Sequence, residues 1–301
     1  MTSTALVSVC IPTYNRAAGL RRAVRSVQAN DYGPLEIIIS DNASQDDTEA
    51  MARELAAADP RIRYFRHERN HGPTRNFQFA REQARGQYFM WCGDDDYLAA
   101  DYIRRCVSVL QEDAAILLAA GIGAYHRGDD RVEYLGNRLA LDSACATARV
   151  AHYLFRVRDN SIFYGLYRCA AVAPCHMPNA LGGDWIWMTD ILMRGKAAVL
   201  PDTFIYRRFG DTTSSSHARI VATLGAPAWH ARYRFFAITA NFLRYFAAAP
   251  DYRARPLPLR AIYMTVIFAA MGFRATRQNG KRLLLRVPVL GNWLQRVLDP
   301  Y

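Results

Sequence analysis

The chain has no paired cysteine motif. Its six cysteines (Cys10, Cys92, Cys106, Cys145, Cys169, Cys175) show neither CxxC nor regular spacing, which argues against a zinc site and reads as buried free thiols in a reducing compartment. No GxGxxG follows the first apolar run, against a dinucleotide-binding unit, and no GxxxxGK[ST] is present, against a P-loop. Apolar runs stay short: the longest, Ala261 to Phe273, falls below the roughly 18 residues a spanning helix needs. Met1 to Ala5 is too short and uncharged to serve as a signal peptide. Internal repeats and low-complexity tracts are missing too. So is nearly all lysine, which occurs only at Lys196 and Lys281.

What is present fits a globular chain of 301 residues, one large domain or two small ones, with 51% apolar residues and ample length for a core. The formal charge of +11 is unevenly placed. Residues 1–200 hold 23 basic and 23 acidic side chains, whereas residues 201–301 hold 15 basic and 4 acidic ones. A neutral body with a basic, aromatic-rich end predicts that the C-terminal third meets an anionic surface or ligand.

The first 110 residues alternate between strand and helix patterns. Buried strands are predicted at 6–11, 35–40, 62–65 and 88–92, with helices at 17–30, from a Ser44/Asp47 capping box through Ala58, and from Pro73 to about Arg85. This alternation implies right-handed βαβ units, an α/β class and a parallel sheet. Ligands of such sheets bind beyond the carboxyl ends of the strands, where Pro12-Thr13-Tyr14, Asp41-Asn42 and Asp94-Asp95-Asp96 all fall. Beyond residue 116 the pattern is mixed. Strands are predicted near 117–125 and 162–167, helices near 147–155 and 184–194, extended segments at 197–200 and 204–207, and amphipathic helices at 228–248 and 258–278.

The densest chemistry lies in Gly93-Asp94-Asp95-Asp96, after the aromatic run Tyr88-Phe89-Met90-Trp91-Cys92. Adjacent carboxylates repel, so a cluster at a strand end calls for a cation or a hydrogen-bonding ligand. Oxygen ligands of this kind suit Mg²⁺ or Mn²⁺ bridged to a substrate phosphate; a solvated acidic turn before a helix is the plainer alternative. Pro12-Thr13-Tyr14-Asn15-Arg16 offers an aromatic ring and polar groups to a base, Asp41 an acceptor for a base N–H, and Arg75 a donor to a base carbonyl or phosphate.

Val9-Cys-Ile-Pro-Thr-Tyr-Asn15, Glu36-Ile-Ile-Ile-Ser-Asp-Asn-Ala-Ser44, Asn70-His-Gly72 and Trp91-Cys-Gly-Asp-Asp-Asp96 together resemble family 2 glycosyltransferases of the GT-A fold. The resemblance is strong over residues 5–105, looser to about 210, and most like bacterial surface-glycan and O-antigen enzymes, abequosyltransferases included. It implies a GT-A (Rossmann-like), mostly parallel sheet flanked by helices, with a basic helical C-terminal extension. Residues 1–110 would be the nucleotide-sugar half, 111–224 the acceptor half, and 225–301 the basic amphipathic region. It further implies a nucleotide-diphosphate sugar donor held by Pro12, Thr13, Tyr14, Asn15, Asp41, Asn42, Arg75 and Asp94, with Mn²⁺ or Mg²⁺ on a D-x-D motif. Measured back from Ala100-Asp101, the first aspartate of that motif falls on Gly93, which puts Asp94 near the ribose and Asp95 on the metal. The other register is Asp94-Asp95-Asp96, with Asp96 as the second ligand.

In the resembling family a catalytic carboxylate begins a helix on the acceptor side. Gly182-Gly183-Asp184-Trp185 matches that place, with Gly183 where an acid usually precedes it. Asp184 would take the acceptor hydroxyl's proton; alternatively it caps its helix. Asp190 is expected on the other face, in a structural role. His217 is a candidate third metal ligand or phosphate contact, and Arg207 and Arg208 are candidates for the diphosphate; a solvated histidine and surface arginines are the alternatives. Trp185 and Trp187 would line the acceptor groove or pack inside. The acceptor is expected to be a polyprenyl-diphosphate-linked glycan. The basic end would lie on an anionic membrane, peripheral on the inner face of the cytoplasmic membrane, or form a homodimer contact. Nucleic acid is not expected, since zinc spacing, an RNP pattern and a helix-turn-helix are all lacking. A processive synthase is disfavoured because no QxxRW-like motif occurs. The competing function is a catalytically silent nucleotide-sugar or membrane-binding scaffold of the same fold.

Overall fold

The structure, a computed structural model, describes residues 5–127, 131–208 and 217–284, with side chains to residue 278. The Ser214-Ser-Ser loop and the basic stretch past residue 284 lie outside the described residues.

The order of elements begins β1 (Val7–Thr13), α1 (Ala17–Gln28), β2 (Leu35–Asp41), α2 (Thr48–Ala58), β3 (Ile62–Arg66), α3 (Pro73–Glu82) and β4 (Tyr88–Trp91). Then come β5 (Asp96–Leu98), α4 (Tyr102–Glu112), β6 (Ile116–His126), β7 (Tyr134–Leu135), α5 (Ala146–Arg156), a 3₁₀ turn (Ser161–Tyr164), β8 (Leu166–Arg168) and α6 (Cys169–Val172). The chain continues through α7 (Gly183–Arg194), β9 (Lys196–Arg208), α8 (His217–Thr223), α9 (Trp229–Arg232), α10 (Arg234–Ala248), α11 (Pro250–Arg253) and α12 (Leu257–Leu284).

All the strands join one sheet in the order β3-β2-β1-β4-β8-β6-β9-β5, with β7 on β6. The N-terminal part of the sheet, β3-β2-β1-β4, is parallel throughout; β8 enters antiparallel between β4 and β6, and β6 with β9 is parallel again. Every residue of β1 and β2 is buried, as a strand covered on both faces requires. Side chains alternate between two cores. Val7, Val9 and Ile11 meet Leu20, Val24 and Val27 of α1, while Cys10 joins Ala80 of α3 and Trp91 on the opposite face.

Four local expectations are corrected. The segment 162–167 is not a single strand: Ser161–Tyr164 is a 3₁₀ turn, and only Leu166–Arg168 pairs with neighbours. The Ser44/Asp47 capping box does not form; Ser44 Oγ accepts the Asn15 N–H at 2.9 Å, and Asp46 Oδ1 takes the Thr48 N–H at 3.1 Å. The helix expected over 228–248 breaks at Tyr233, leaving α9 and α10. In the last helix Leu257–Gln278 is, by length and composition, apolar enough to cross a membrane, where the sequence reading placed no such segment. Counting only unbroken apolar residues missed it, because isolated polar residues are tolerated along a helix. One face of α12 nevertheless packs against protein through Tyr263, Ile267, Ala270 and Met271, which share a core with Trp91 and Trp187. All six cysteines are free; four are buried, while Cys145 is exposed and Cys169 half-buried.

Candidate active site

Two cavities open along the carboxyl edge of the parallel strands. The first, about 750 Å³, lies over the ends of β1 and β4. Pro12, Thr13, Tyr14, Arg16, Asn42, Asp94 and Asp95 line it from one side, and Tyr125, Tyr164, Arg207 and Arg208 from the other. β1 ends at Thr13, and its hydroxyl donates to Asp94 Oδ2 at 2.8 Å. Arg16 follows on the same loop; its Nη1 donates to Asp95 Oδ2 at 3.0 Å and its Nε lies 3.7 Å from Asp94 Oδ1. Burial and the neighbouring charge of Asp95 push the Asp94 carboxyl up to about 7.

Asp96 turns the other way. It is buried and held by Arg207 Nε at 3.3 and 3.1 Å. Burial pushes its carboxyl up to about 6 against the pull of Arg207. Gly93 makes this crowding feasible: a Cβ there would stand 2.7 Å from Asp96 Oδ2 and 3.1 Å from Asp95 Oδ1. Of the three aspartates, Asp94 and Asp95 therefore face the cleft, and Asp96 anchors the strand β5 that it begins.

Three expected contacts of the cleft are placed elsewhere. Asp41 is fully buried: its carboxylate accepts the Tyr64 hydroxyl at 2.8 Å and the Ser44 N–H at 2.9 Å, so it braces the loop after β2 and does not line the cleft. Asn15 adopts a positive φ of 52° and accepts the Gln45 N–H through Oδ1 at 2.7 Å, tying the loops after β1 and β2 together. Arg75 is half-exposed on α3 and pairs with Glu82 at 2.7 Å, one turn further along the helix than its i+4 neighbour. Asn42 keeps its place, donating to Asn70 Oδ1 at 2.8 Å and the Gly72 carbonyl at 3.2 Å.

The second cavity, about 640 Å³, is lined by Asp184, Trp185, His217, Arg234 and Arg274 among others. It meets the first at Pro73, Phe77, Asn160, Tyr164 and Arg207, which line both. Asp184 sits in the first turn of α7, whose N-cap position belongs to Gly182 in a left-handed conformation (φ 79°), so Asp184 is not the cap. Its Oδ2 accepts the Asn160 Nδ2–H at 2.7 Å, and Asn160 Oδ1 in turn accepts the Tyr153 hydroxyl at 2.8 Å. Burial raises the Asp184 carboxyl above its ordinary range, opposed first by the Asn160 hydrogen bond. Gly183 has a steric reason: a Cβ would stand 2.4 Å from the Pro178 carbonyl oxygen, leaving no room for the acid its position suggested.

An aromatic cluster fixes the two cavities relative to each other. Trp91 at the end of β4 stacks on Phe163 of the 3₁₀ turn (4.9 Å, 14°) and meets Trp187 of α7 edge-on at 5.2 Å. Its Nε1 donates to the Phe77 carbonyl at 2.9 Å. The same three elements carry the Asp94–Asp96 turn, Asn160 and Asp184. The two tryptophans thus divide: Trp187 is core and Trp185 lines the second cavity. Asp190 is structural, paired with Arg194 at 3.1 Å and accepting the Tyr245 hydroxyl at 2.9 Å. His217 lies on the second cavity, where Nε2 meets Arg234 Nη1, apart from the aspartates.

Arg16, Asn160 and Tyr164 are site residues beyond those expected from the sequence. Arg16 stood in the quoted loop motif and its pairing with the acidic turn was readable as charge complementarity. Asn160 and Tyr164 carried no local signal, since only the fold brings their turn to the cleft.

A sheet with two joined cavities at its carboxyl edge, one acidic and facing β1 and β4, the other holding a half-buried carboxylate, defines a GT-A-type α/β protein. The chain belongs to glycosyl transferase family 2, whose family description matches residues 8–171. Over 93 residues it is 40% identical to the GalNAc(5)-diNAcBac-PP-undecaprenol beta-1,3-glucosyltransferase of Campylobacter jejuni, covering 31% of this chain and 30% of that protein. It is 40% identical over 116 residues to abequosyltransferase RfbV of Salmonella typhimurium, covering 38% and 35%. The chain thus matches about a third of the length of these two curated relatives. In fold it is similar to Staphylococcus aureus TarS 1-349 in complex with UDP-GlcNAc (TM-score 0.57, 17% identity, 88% of this chain and 81% of that one). It is also similar to the Pyrobaculum calidifontis mannosyltransferase PcManGT in complex with GDP-Man and Mn²⁺ (TM-score 0.55, 17% identity, 97% and 84%).

Proposed function

We propose that this protein is an inverting glycosyltransferase that moves a sugar from a nucleotide-diphosphate sugar to a hydroxyl of a lipid-linked glycan in bacterial surface-polysaccharide synthesis. One observation carries the reading: Asn160, Tyr164 and Arg207 line both cavities, and Asn160 presents Asp184 at their junction. A donor over β1 and β4 and an acceptor beside α7 would meet there.

Thr13, Tyr14 and Asn42 line the nucleotide side of the cleft and are assigned to the nucleotide; Asp41 and Asn15 shape that wall from behind. Asp94 and Asp95 fit a divalent cation such as Mn²⁺ or Mg²⁺: a carboxyl raised by burial and then by its neighbour's charge gains from a cation, and such ions take one or two carboxylates plus phosphate oxygens. When bound, the ion would offset charge on the diphosphate. Arg16, beside both aspartates, and Arg207 supply fixed positive charge at the same place.

Asp184 takes the proton of the acceptor hydroxyl as its oxygen bonds to the anomeric carbon. The bond from that carbon to the phosphate oxygen breaks, its electron pair leaves on the nucleoside diphosphate, and attack from the opposite face inverts the anomeric centre. Sequence similarity to enzymes of lipid-linked and O-antigen glycans supports the acceptor class. The apolar outer face of α12 supports a place at the inner surface of the cytoplasmic membrane.

Asp184→Asn decides between the enzyme and the silent scaffold. Transfer is expected to fall by on the order of a thousandfold while the thermal shift with nucleotide stays. Unchanged transfer would remove Asp184 as the base, and the absence of transfer in the wild type with every nucleotide sugar tried would leave the scaffold. A nucleotide shift indifferent to EDTA would assign the charge balance to Arg16 and remove Asp95 as a ligand.

A further inference from the structure

We propose that a basic groove formed by the end of α5, the start of α10 and the late turns of α12 binds the diphosphate of a prenyl-diphosphate-linked acceptor, whose prenyl chain follows the apolar furrow between α10 and α12. The inference rests on the transferase reading and names where its acceptor is held.

The groove encloses about 730 Å³, and five arginines line it: Arg156, Arg158, Arg234, Arg274 and Arg277. No carboxylate lines it among the described residues. Arg156, Arg158, Arg274 and Arg277 make no ion pair among the described residues. Arg274 is the most telling of them. Its guanidinium donates to the Leu154 carbonyl at 2.7 Å and the Val157 carbonyl at 2.5 Å, and lies 4.6 Å over the Trp185 ring. Neutral carbonyls and a ring orient this cation without offsetting its charge. Burial, with Arg277 and Arg234 as like-charged neighbours, pulls it down to about 10. A largely buried cation among like charges is costly unless an anion joins it. Arginine forks suit phosphate oxygens in particular.

The choice of occupant follows from what adjoins the groove. Arg158, Arg234, Phe235 and Arg274 also line the cavity that contains Asp184, so a sugar attached to an anion in the groove enters the catalytic cavity directly. On the other side Phe235 continues into a furrow of about 300 Å³ between α10 and α12, with Phe236, Leu243, Phe268 and Met271 on its walls. A compact, multiply charged head joined to a sugar at one end and to a narrow hydrocarbon chain at the other matches this sequence of surfaces. A flat bilayer of single-charge headgroups matches only the exposed aromatic residues.

The test uses the full chain and phosphatidylcholine vesicles that carry either undecaprenyl diphosphate or phosphatidylglycerol at matched surface charge. The wild type is expected to prefer the diphosphate vesicles. Arg158→Glu and Arg277→Glu, both at exposed positions, should reduce that preference by about tenfold or more. Arg244→Glu, on the exposed side of α10 and outside the groove, should leave it unchanged. Equal binding to the two vesicle types, an unaltered preference in both groove variants, or an equal loss in Arg244→Glu overturns the proposal. Nucleotide thermal shifts measured on the same variants separate the two readings. Loss of the nucleotide shift in the wild type, with diphosphate-lipid preference intact, would overturn the transferase reading and keep the groove.

Discussion

A base that deprotonates a sugar hydroxyl works best with more proton affinity than an exposed aspartate has, yet it must still be ionised at working pH. Asp184, the proposed base, stands between these demands. Burial raises its carboxyl, and the Asn160 amide, itself held by the Tyr153 hydroxyl, favours the ionised form. Replacing Asn160 by Ala removes a hydrogen bond to the charged form, so the pKa rises further. The acid limb of the kcat/KM profile should then move to higher pH, with a larger rate loss near about pH 6 than near about pH 9. A profile lowered evenly at all pH values would mean that Asn160 acts on something other than this proton.

The three aspartates are equivalent in sequence and unlike in surroundings. Asp95→Asn should lower turnover by on the order of a hundredfold and remove any metal-dependent nucleotide shift, with little change in melting. Asp96→Asn strands Arg207, a half-buried cation whose charge the buried Asp96 balances, and should cost about 3 kcal/mol in chemical denaturation. If the two variants exchange these phenotypes, Asp96 is the ligand and the intact D-x-D register holds.

Among elements, α7 carries the narrowest tolerance. Its first turn abuts the Pro178 carbonyl so closely that any side chain at Gly183 must push the helix away or shift the loop. Gly183→Ala is expected to destabilise by about 1–3 kcal/mol and to lower kcat through displacement of Asp184. Restoring a family-like acid with Gly183→Glu should do worse, not better, and melting and kcat measured together check both. The elements most readable from sequence were those with local causes. β1 and β2 are mostly apolar runs buried on both faces, interrupted only by the hydrogen-bonded pair Ser8 and Glu36, and their terminal polar residues follow from where the runs stop. The stretch Ile162–Tyr167 misled for the same reason. An apolar run without period reads as a strand, yet Phe163 is buried by stacking on Trp91, which a 3₁₀ turn accomplishes equally well.

On the scale of the whole molecule, the C-terminal helices are not an appendage. Phe242 and Phe246 of α10, with Tyr263 and Ile267 of α12, belong to the same core as Trp91 and Trp187. Removing residues 225–301 should therefore abolish cooperative unfolding, which makes truncation a poor test of membrane binding. Of the eleven large apolar residues exposed among the described ones, eight fall between Trp229 and Phe273, so the outer face of α10 and α12 is the surface to alter. Phe236→Ser with Phe268→Ser should weaken flotation with anionic vesicles while stability changes by no more than about 0.5 kcal/mol per site. Undiminished flotation would move the contact elsewhere.

Local sequence alone specifies the parallel half of the sheet, the loops that end its strands, and the acidic turn beyond β4. Each of these rests on short-range patterns: an apolar run, the polar residues that stop it, a helix period of 3.6. Three-dimensional packing sets which aspartates face the cleft, keeps Asp41 and Arg75 out of it, and brings Asn160 and Arg207 to the junction of the two cavities beside Asp184. The orientation of the acidic turn depends on residues far apart in sequence, such as Arg207 with Asp96 at a separation of 111 and Thr13 with Asp94 at 81. Packing and the burial of charge select such pairs, and neither leaves a mark on the local sequence.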